Sequence, residues 1–457
     1  MFPETPFSGN NDRVEIVGWQ DYFRVGDHSP STVCASTRPA PLDEGDVNSE
    51  SGLIAFGMFR RTSSWLTFLF CVLVSAAISA AQDGPNPAAP LADNKPAPLL
   101  TPEGFNDGHG YVLPGVEWEH ASPESEGFSS ARLEALRAFI KTHQTEAMMI
   151  VSRGHVVFEY GNTAVVSNLA SVRKSVLDLL YAVETQKGLN ISDALGKTVV
   201  ELGLEDKVPF NDIEKHAVLE QLLMSRSGIY LGSGNGDQAK LRPPRGSAWP
   251  GSHYFYNNWD FDAAGIAFEK LTHTDLLDAL RDDLAIPLRF QDFDRARQSK
   301  PLNDESNHAS YKLSLSTRDM ARLGLFALRS GQWGKTIWAS PDLIQFSTYP
   351  TTHFNEVGDG YWSPGWTGRW GYGMLWWAWE TPKYPGDIMT GPYQGAFSAL
   401  GSGGQYITVF PMYDIVVAHK VNIDQDPSRS VSGPTYMTIL DMVLDAKCGA
   451  STEKSCN

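Results

Sequence analysis

The stretch of sequence that decides the fold runs from Ser171 to Gly188 and reads SVRKSVLDLLYAVETQKG. Its apolar residues recur at helical spacing and form one stripe: Val172, Val176, Leu179, Leu180 and Val183. This spacing predicts a helix that ends at Gly188, because glycine favours the left-handed conformation of a helix C-terminus. Residues three apart share a helix face, so the pattern places Ser171 beside Lys174, with Cβ atoms about 5–6 Å apart.

The position of Ser171 suits nucleophilic chemistry. It stands at the predicted helix N-terminus, where the helix dipole and the free N–H groups stabilise developing negative charge. The apolar stripe points elsewhere, so we expect Ser171 and Lys174 on a polar face together with Ser175 and Asp178. A lysine buried beside a serine can lose its proton and activate the hydroxyl. The alternative is a helix cap followed by a solvated lysine, because Ser-x-x-Lys also occurs by chance.

The sequence on either side of this helix predicts an antiparallel sheet. A helix is expected over 129–142, and a hairpin follows over 148–160 with its turn at Arg153-Gly154. Two late strands are expected over 405–410 and 415–421, and a closing amphipathic helix over 434–447. The patterns between 190 and 330 are mainly helical. We therefore predict an α/β (α+β) fold in which an antiparallel sheet is flanked by the N- and C-terminal helices and carries an inserted helical lobe. A cleft between the two lobes is the expected place for a site.

Two further segments suit the same chemistry. Tyr256-Asn257-Asn258 places a phenol and an amide on one side of a short turn. A phenol becomes a usable base only beside a cation, which Lys174 can supply. The segment Gly401-Ser402-Gly403-Gly404-Gln405 precedes a predicted strand, and its glycines allow a ligand to approach the backbone N–H groups closely. The alternatives are a buried turn tyrosine with a helix-capping asparagine, and a glycine-rich loop that leads into an edge strand.

In their order along the chain, these three segments resemble the serine β-lactamase and penicillin-binding-protein superfamily, above all its class C-like and esterase-like branch. The segment from Leu222 to Gly228 is similar to the LLxHxSG stretch of that branch, and the segment from Ser316 to Gly324 is similar to one of its helix starts. The likeness covers roughly residues 120–447. It implies the β-lactamase/transpeptidase-like arrangement of the fold predicted above.

The resemblance also implies catalytic roles. Ser171 would be the acylated nucleophile, and Lys174 would be its proton partner. Tyr256 would act as the general base for acylation and as the acid that protonates the leaving group. Water would then hydrolyse the acyl-enzyme, and the reaction requires no metal and no organic cofactor.

Substrate-binding roles follow in the same way. The N–H groups of Ser171 and of a residue near Gln405 would form the oxyanion hole, and Asn258 would orient Lys174 or the substrate amide. Classical members carry Lys-Thr-Gly or His-Thr-Gly at the strand, and the basic residue helps hold a substrate carboxylate. We expect Ser402-Gly403-Gly404 at that place, which offers no charge. This departure favours neutral substrates, as in the carboxylesterase-like and 6-aminohexanoate-dimer-hydrolase-like members.

The predicted function is therefore that of an exported serine hydrolase that cleaves a small ester or amide. A β-lactamase or D-Ala-D-Ala carboxypeptidase remains an alternative, with a basic group from elsewhere in the cleft. A non-catalytic binding protein on the same fold is an alternative of another class.

Composition narrows the partners of the protein. The chain has 457 residues, of which 42% are hydrophobic, so it can bury a large core. Its 37 basic and 53 acidic residues give a net charge of −16, which excludes a nucleic-acid binder and disfavours anionic substrates. We expect a small-molecule ester or amide as the partner, and the oligomeric state is left open. The tryptophan-rich run over 361–379 admits two interpretations, an apolar substrate pocket or core packing beneath the sheet.

The expected enzyme domain spans 117–447, and the segment before it has the pattern of an export signal. Met58-Phe59-Arg60-Arg61, the apolar run over 65–78 and the small residues after it are typical of a signal peptide over 58–81. We therefore expect export to the periplasm or the extracellular space, and no stable membrane insertion after cleavage. A permanent signal anchor is the second choice, because the run is shorter than the ~20 residues that span a bilayer.

The remaining segments are expected to be poorly structured. Residues 1–57 are expected to be disordered or a mis-assigned upstream segment, with Met58 as the true start. Residues 82–116 carry seven prolines and are expected to form a linker. In the tail over 448–457, Cys448 and Cys456 can pair in an oxidising compartment.

Overall fold

A seven-stranded antiparallel sheet forms the centre of the protein, with the strand order β4-β3-β13-β12-β11-β10-β9. The structure is a computed structural model that describes residues 105–106, 112–235, 240–357, 370–380 and 391–447. The described strands are β1 Phe105–Asn106, β2 Val112–Leu113, β3 Ala147–Ser152, β4 His155–Gly161, β5 Ser167–Asn168, β6 Ser314–Leu315, β7 Gln332–Trp333, β8 Thr336–Ile337, β9 Trp370–Tyr372, β10 Trp377–Trp379, β11 Phe397–Gly401, β12 Gln405–Phe410 and β13 Ile415–Lys420.

Helices surround this sheet and fill the middle of the chain. The described α-helices are α1 Ser130–Lys141, α2 Val172–Lys187, α3 Ile191–Gly196, α4 Leu219–Leu223, α5 Asn258–Thr272, α6 Leu276–Ala279, α7 Thr317–Leu328, α8 Pro341–Ser347, α9 Phe354–Val357 and α10 Gly433–Ala446. A π-helical turn over Leu280–Ala285 continues α6. The predicted fold class is confirmed.

The sheet joins the two ends of the domain, as the sequence predicts. Strand β3 pairs with β4 on one side and with β13 on the other, and Ile150 lies opposite Val417. The β3–β4 turn is Arg153-Gly154, and both residues have positive φ values, 50° and 91°. Helices α1 and α10 pack against each other, and the Ser129 N–H donates to the Ala446 carbonyl oxygen at 2.9 Å.

One helix lies flat against the sheet. Helix α7 packs on β3, β12 and β13. Its close approach depends on Gly324, because a Cβ atom there would lie 2.4 Å from Cγ1 of Val416.

Helix α2 differs from the prediction in its surroundings. It begins at Val172, ends at Lys187 and is followed by Gly188 at a φ of 116°, as the sequence predicts. Every residue from Val172 to Val183 is buried, however, so the expected polar face does not reach solvent. Buried polar groups need hydrogen-bond partners, and those of α2 find them on segments far away in the sequence. For example, Ser175 Oγ donates to the Leu375 carbonyl oxygen at 2.7 Å.

The tryptophan-rich run contributes two strands that the sequence analysis did not predict, β9 and β10. Trp370, Trp376, Trp377 and Trp379 are all buried, which agrees with core packing for these four. Trp362 and Trp366 lie outside the described residues.

The N-terminal predictions fall mostly outside the described residues, among them the signal peptide over 58–81. Cys448 and Cys456 also lie outside them. The end of the expected linker, in contrast, is folded: β1 pairs with β2, and Val112 and Leu113 are buried. No helix in the described ranges is long and apolar enough to span a bilayer.

Candidate active site

Ser171 and Lys174 are in direct contact at the start of α2. Lys174 Nζ donates a hydrogen bond to Ser171 Oγ at 2.7 Å. The lysine is only 2% exposed, and its Nζ lies 4.9 Å from the ring centroid of Tyr256 and 4.8 Å from that of Phe261. The i, i+3 spacing thus gives the predicted contact, while Tyr256 reaches the same point from a segment 85 residues later.

The surroundings of Lys174 favour its neutral form. Burial lowers the pKa of Lys174 well below its usual value, and the positive charge of Arg173 lowers it further. Asp262 acts in the opposite direction. A neutral amine has a lone pair, so Nζ can accept the proton of the Ser171 hydroxyl.

Tyr256 is positioned by Ser225, which lies after the C-terminus of α4. Ser225 Oγ donates to the Phe255 carbonyl oxygen at 2.7 Å and accepts a hydrogen bond from the Asn257 N–H at 2.9 Å. The Phe255 N–H also donates to the Ser225 carbonyl oxygen at 3.1 Å. Ser225 therefore holds the backbone on both sides of Tyr256. It has a φ of 57°, a left-handed conformation that is strained for serine.

The two asparagines after Tyr256 have different surroundings. Asn257 caps α5, and its Nδ2 donates to the Ile229 carbonyl oxygen and to Asp260. Asn258 Oδ1 is buried without a hydrogen-bond partner among the described residues. Among the described residues, no hydrogen bond joins Asn258 to Lys174. The predicted role of Asn258 in orienting Lys174 is therefore not supported by a direct contact.

The strand residue that approaches Ser171 is Gly401, at the end of β11. A Cβ atom at Gly401 would lie 2.6 Å from the Leu169 carbonyl oxygen and 3.1 Å from the Ser171 backbone nitrogen. Strand β10 pairs with β11 only at Phe397 and Ser398, so the described residues leave the β11 edge from Ala399 to Gly401 without a strand partner.

The structure places the predicted substrate-binding residues of this segment in different surroundings. Ser402 is exposed, whereas Gly403 and Gly404 pack against Ile423 and Val421. Gln405 is fully buried, and its Nε2 donates to the Val421 carbonyl oxygen at 2.8 Å. The two glycines form the tight turn between β11 and β12. This turn directs Gly403, Gly404 and Gln405 toward the segment that follows β13. The triplet at the end of β11 is Ala399-Leu400-Gly401, and it also lacks a basic residue.

A sequence-family comparison agrees with this arrangement. The Beta-lactamase family model matches residues 136–440, about two thirds of the chain. The chain belongs to the Beta-lactamase family. The match includes the Ser171–Lys174 pair, Tyr256 and Gly401, and members of this family are serine hydrolases. No curated protein sequence matches the chain at a significant level.

Solved structures with the same fold carry several different names. A candidate 6-aminohexanoate-dimer hydrolase from Bacillus anthracis aligns with a TM-score of 0.51 at 18% identity, over 72% of this chain and 86% of that one. A candidate beta-lactamase from Bacteroides dorei aligns at 0.50 and 16% identity, over 70% of this chain and 99% of that one. A class C beta-lactamase aligns at 0.50 and 14% identity, over 73% and 100%. At these identities the likeness establishes the fold alone.

The structure of this Beta-lactamase family member shows buried ionisable groups near the Ser171–Lys174 pair, of which the sequence analysis names only Asp178. Arg173 and Asp262 form an ion pair at 3.0 Å in which both side chains are almost fully buried. Asp178 accepts hydrogen bonds from Ser347 Oγ and Trp376 Nε1, and burial raises its pKa to about 7. Arg173 stands inside the Ser-x-x-Lys segment itself, but its partner is 89 residues away, which local sequence patterns do not reveal.

Proposed function

We propose that this protein is an exported serine hydrolase that cleaves small neutral esters or amides through an acyl-enzyme on Ser171. One observation carries the proposal: Ser171 Oγ lies 2.7 Å from the amine of a buried Lys174 whose pKa is well below its usual value. A binding protein has no need of an activated nucleophile, so this contact favours catalysis over binding alone.

The reaction begins with proton transfer from Ser171 Oγ to the neutral Lys174 amine while Oγ attacks the substrate carbonyl carbon. Because Lys174 Nζ is in hydrogen-bond contact with Ser171 Oγ, we assign Lys174 as the first proton acceptor. The Ser171 N–H and the N–H of Ser402, which follows Gly401, stabilise the carbonyl oxygen as it becomes negative. The Tyr256 phenol protonates the departing alcohol or amine and regains a proton from the Lys174 ammonium.

Deacylation uses the same groups in reverse. A water molecule attacks the acyl carbon and gives its proton to the neutral Lys174 amine. The tetrahedral intermediate then collapses, the carboxylic acid leaves, and Ser171 Oγ recovers its proton. Each step conserves protons without any additional reactant.

The charges around the site support a neutral substrate. The triplet Ala399-Leu400-Gly401 at the strand edge offers no cation, and Ala399 is fully buried. Arg173, the arginine next to Lys174, is already paired with Asp262. An anionic substrate would therefore meet no uncompensated positive charge among these groups.

The test compares ester and β-lactam hydrolysis in matched variants. We expect wild-type protein to be labelled by a fluorophosphonate and to hydrolyse p-nitrophenyl acetate much faster than nitrocefin. Ser171→Ala should lose both labelling and ester hydrolysis. The control is Ser130→Ala, which removes an exposed serine at the start of another helix, α1, and should change neither.

The outcomes separate the alternatives. Absence of labelling in the wild type would refute a serine hydrolase, and nitrocefin turnover equal to ester turnover would refute the neutral-ester preference. Export is proposed from the sequence pattern over 58–81 alone, and the N-terminal sequence of protein recovered outside the cytoplasm tests it.

A further inference from the structure

The Arg173–Asp262 ion pair connects the two elements that carry the catalytic groups. Arg173 lies on α2, next to Lys174, and Asp262 lies on α5, six residues after Tyr256. Arg173 NH2 donates to Asp262 Oδ1 at 3.0 Å, and the two side chains are only 3% and 0% exposed. The guanidinium also lies 4.3 Å from the ring centroid of Tyr311. A pair this deeply buried is shielded from solvent, so its charges act strongly on their neighbours.

Burial of an ion pair is costly and gives little net stability, because two charges must leave water. Its location therefore calls for another explanation. Both charges act on Lys174: Arg173 opposes the ammonium form and Asp262 favours it. Arg173 is also influenced electrostatically by Tyr256. The ion pair therefore interacts electrostatically with Lys174, and Arg173 also interacts with Tyr256; the proposed reaction uses both residues.

We propose that the buried Arg173–Asp262 ion pair, which joins α2 and α5 next to Lys174, positions Lys174 and sets its charge state. This role rests on the proposed function, because it assumes that Lys174 accepts the Ser171 proton. Arg173 and Asp262 are positioning residues, since they act through Lys174 and not on the substrate.

Other titratable groups near Lys174 differ from this pair in their charge. Besides the pair, the titratable groups on the neighbouring turns of α2 and on the segments around the site are Asp178, Tyr181, Tyr256, Asp260, Tyr311 and Tyr372. Burial raises the pKa of Asp178 to about 7 and raises that of Asp260 well above its usual value. Burial likewise raises the pKa values of Tyr311 and Tyr372, so both phenols are neutral. Asp178 gains charge as the pH passes about 7, but the two charged groups that act on Lys174 are Arg173 and Asp262.

The test is the pH dependence of kcat/KM for p-nitrophenyl acetate, whose acid limb follows deprotonation of the free enzyme. Arg173→Met removes a positive charge, so the Lys174 ammonium is less disfavoured and the acid limb should move to higher pH. Asp262→Asn removes a negative charge, so the limb should move to lower pH. We expect each shift to be about one pH unit, since a neighbouring charge shifts a pKa by about 1–3 units.

Opposite shifts from the two halves of one ion pair are the decisive signature, because general structural damage lowers activity without moving the limb in two directions. Matched controls come from the other end of α2, where Lys187 is paired with Asp283. Lys187 lies about 20 Å along α2 from Lys174, beyond the range of screened charges. Lys187→Met and Asp283→Asn should therefore leave the acid limb in place.

The double variant Arg173→Met/Asp262→Leu covers the case in which a single variant does not fold, because apolar replacement of a buried pair is often tolerated. Its limb should lie between those of the two single variants, because the double variant removes both charges that act on Lys174. Unshifted limbs, or limbs that move in the same direction in both single variants, would overturn the proposal. Such a result with normal fluorophosphonate labelling of wild-type Ser171 would leave the serine hydrolase intact, whereas loss of that labelling would refute the hydrolase itself.

Discussion

A single methyl group at Gly401 should disable the site while the protein stays folded. In Gly401→Ala the new Cβ would lie 2.6 Å from the Leu169 carbonyl oxygen, 3.0 Å from Gln405 Cβ and 3.1 Å from the Ser171 backbone nitrogen. Ordinary contact begins at 3.4 Å, so the strand end and the segment before α2 must separate by about 0.8 Å. Two of the three neighbours are backbone atoms, so rotation of a side chain cannot relieve the overlap.

The size of the effect follows from this displacement. It moves the Ser171 N–H relative to the end of β11, and those are the two parts of the proposed oxyanion hole. A misplacement of about 1 Å in an active site can cost roughly 100-fold in rate, so we expect kcat/KM for p-nitrophenyl acetate to fall about 100-fold. Overpacking typically costs about 1–3 kcal/mol, so the variant should unfold at a lower temperature but remain folded at 25 °C.

The assay pairs ester hydrolysis with thermal unfolding measured by circular dichroism. Gly196→Ala is the matched control: Gly196 lies in α3 without positive φ, and a Cβ there would meet nothing within 4 Å. That variant should keep full activity and gain about 0.5–1 kcal/mol of stability, as expected for alanine in a helix. A Gly401→Ala protein with kcat/KM within threefold of the wild type would show that β11 does not help to form the oxyanion hole.

Three further predictions test individual groups. Tyr256→Phe should lower kcat/KM by about 10²–10⁴-fold, because the leaving group loses its proton donor, and a near-normal rate would contradict that role. Ser225→Gly should lower kcat/KM about tenfold by loosening Tyr256, yet cause no further loss in a Tyr256→Phe background; additive losses in this double-mutant cycle would contradict the positioning role. The pKa of Asp178 is about 7 in the folded protein, above its value in the unfolded chain. Protonated Asp178 therefore stabilises the fold fully below about pH 4, and this contribution is lost as the pH rises through 7. Asp178→Asn stays neutral, so urea unfolding should show that it is more stable than the wild type by roughly 4 kcal/mol at pH 8 and similar at pH 4. Equal stability at pH 8 would show that Asp178 carries no cost of ionisation.

Local geometry explains which parts of the site could be predicted from the sequence. The Ser171–Lys174 contact follows from helical spacing, so the sequence alone predicts it correctly. The predicted helix and hairpin bounds are also close to those observed, because capping residues and turn glycines mark them. For example, Ser129 Oγ accepts a hydrogen bond from the Arg132 N–H at the start of α1.

The glycines at the end of β11 are difficult to interpret from sequence, because glycine serves two different structural purposes there. Gly403 and Gly404 have φ values of 78° and 109°, which the β11–β12 turn requires. Gly401 is needed for a different reason, the close approach of Ser171. Sequence pattern alone does not separate the two uses, so the role of Ser402-Gly403-Gly404 in substrate binding stays a prediction.

The buried charges were missed because their partners are distant in the sequence. The sequence places Asp178 on a polar helix face, and it does not reveal that Asp178 accepts hydrogen bonds from Ser347 and Trp376. Arg173 in isolation has the pattern of a surface residue, and only its contact with Asp262 explains its burial. An amphipathic pattern indicates that a helix has a polar side, but it does not indicate whether that side faces water or buried partners.

The pairing of β3 with β13 has a consequence for synthesis on the ribosome. Strand β3, which contains Ile150, is synthesised long before its partner β13, which contains Val417. Until β13 has been synthesised, β3 and β4 can form only a two-stranded hairpin with an open edge. Such a hairpin is at best marginally stable in water. Gly401 also emerges late, which means that a nascent chain truncated before β11 contains Ser171, Lys174 and Tyr256 but not the strand edge that faces them. We therefore expect the hydrolase to gain activity only after translation has nearly finished, when its last strands and α10 close the sheet.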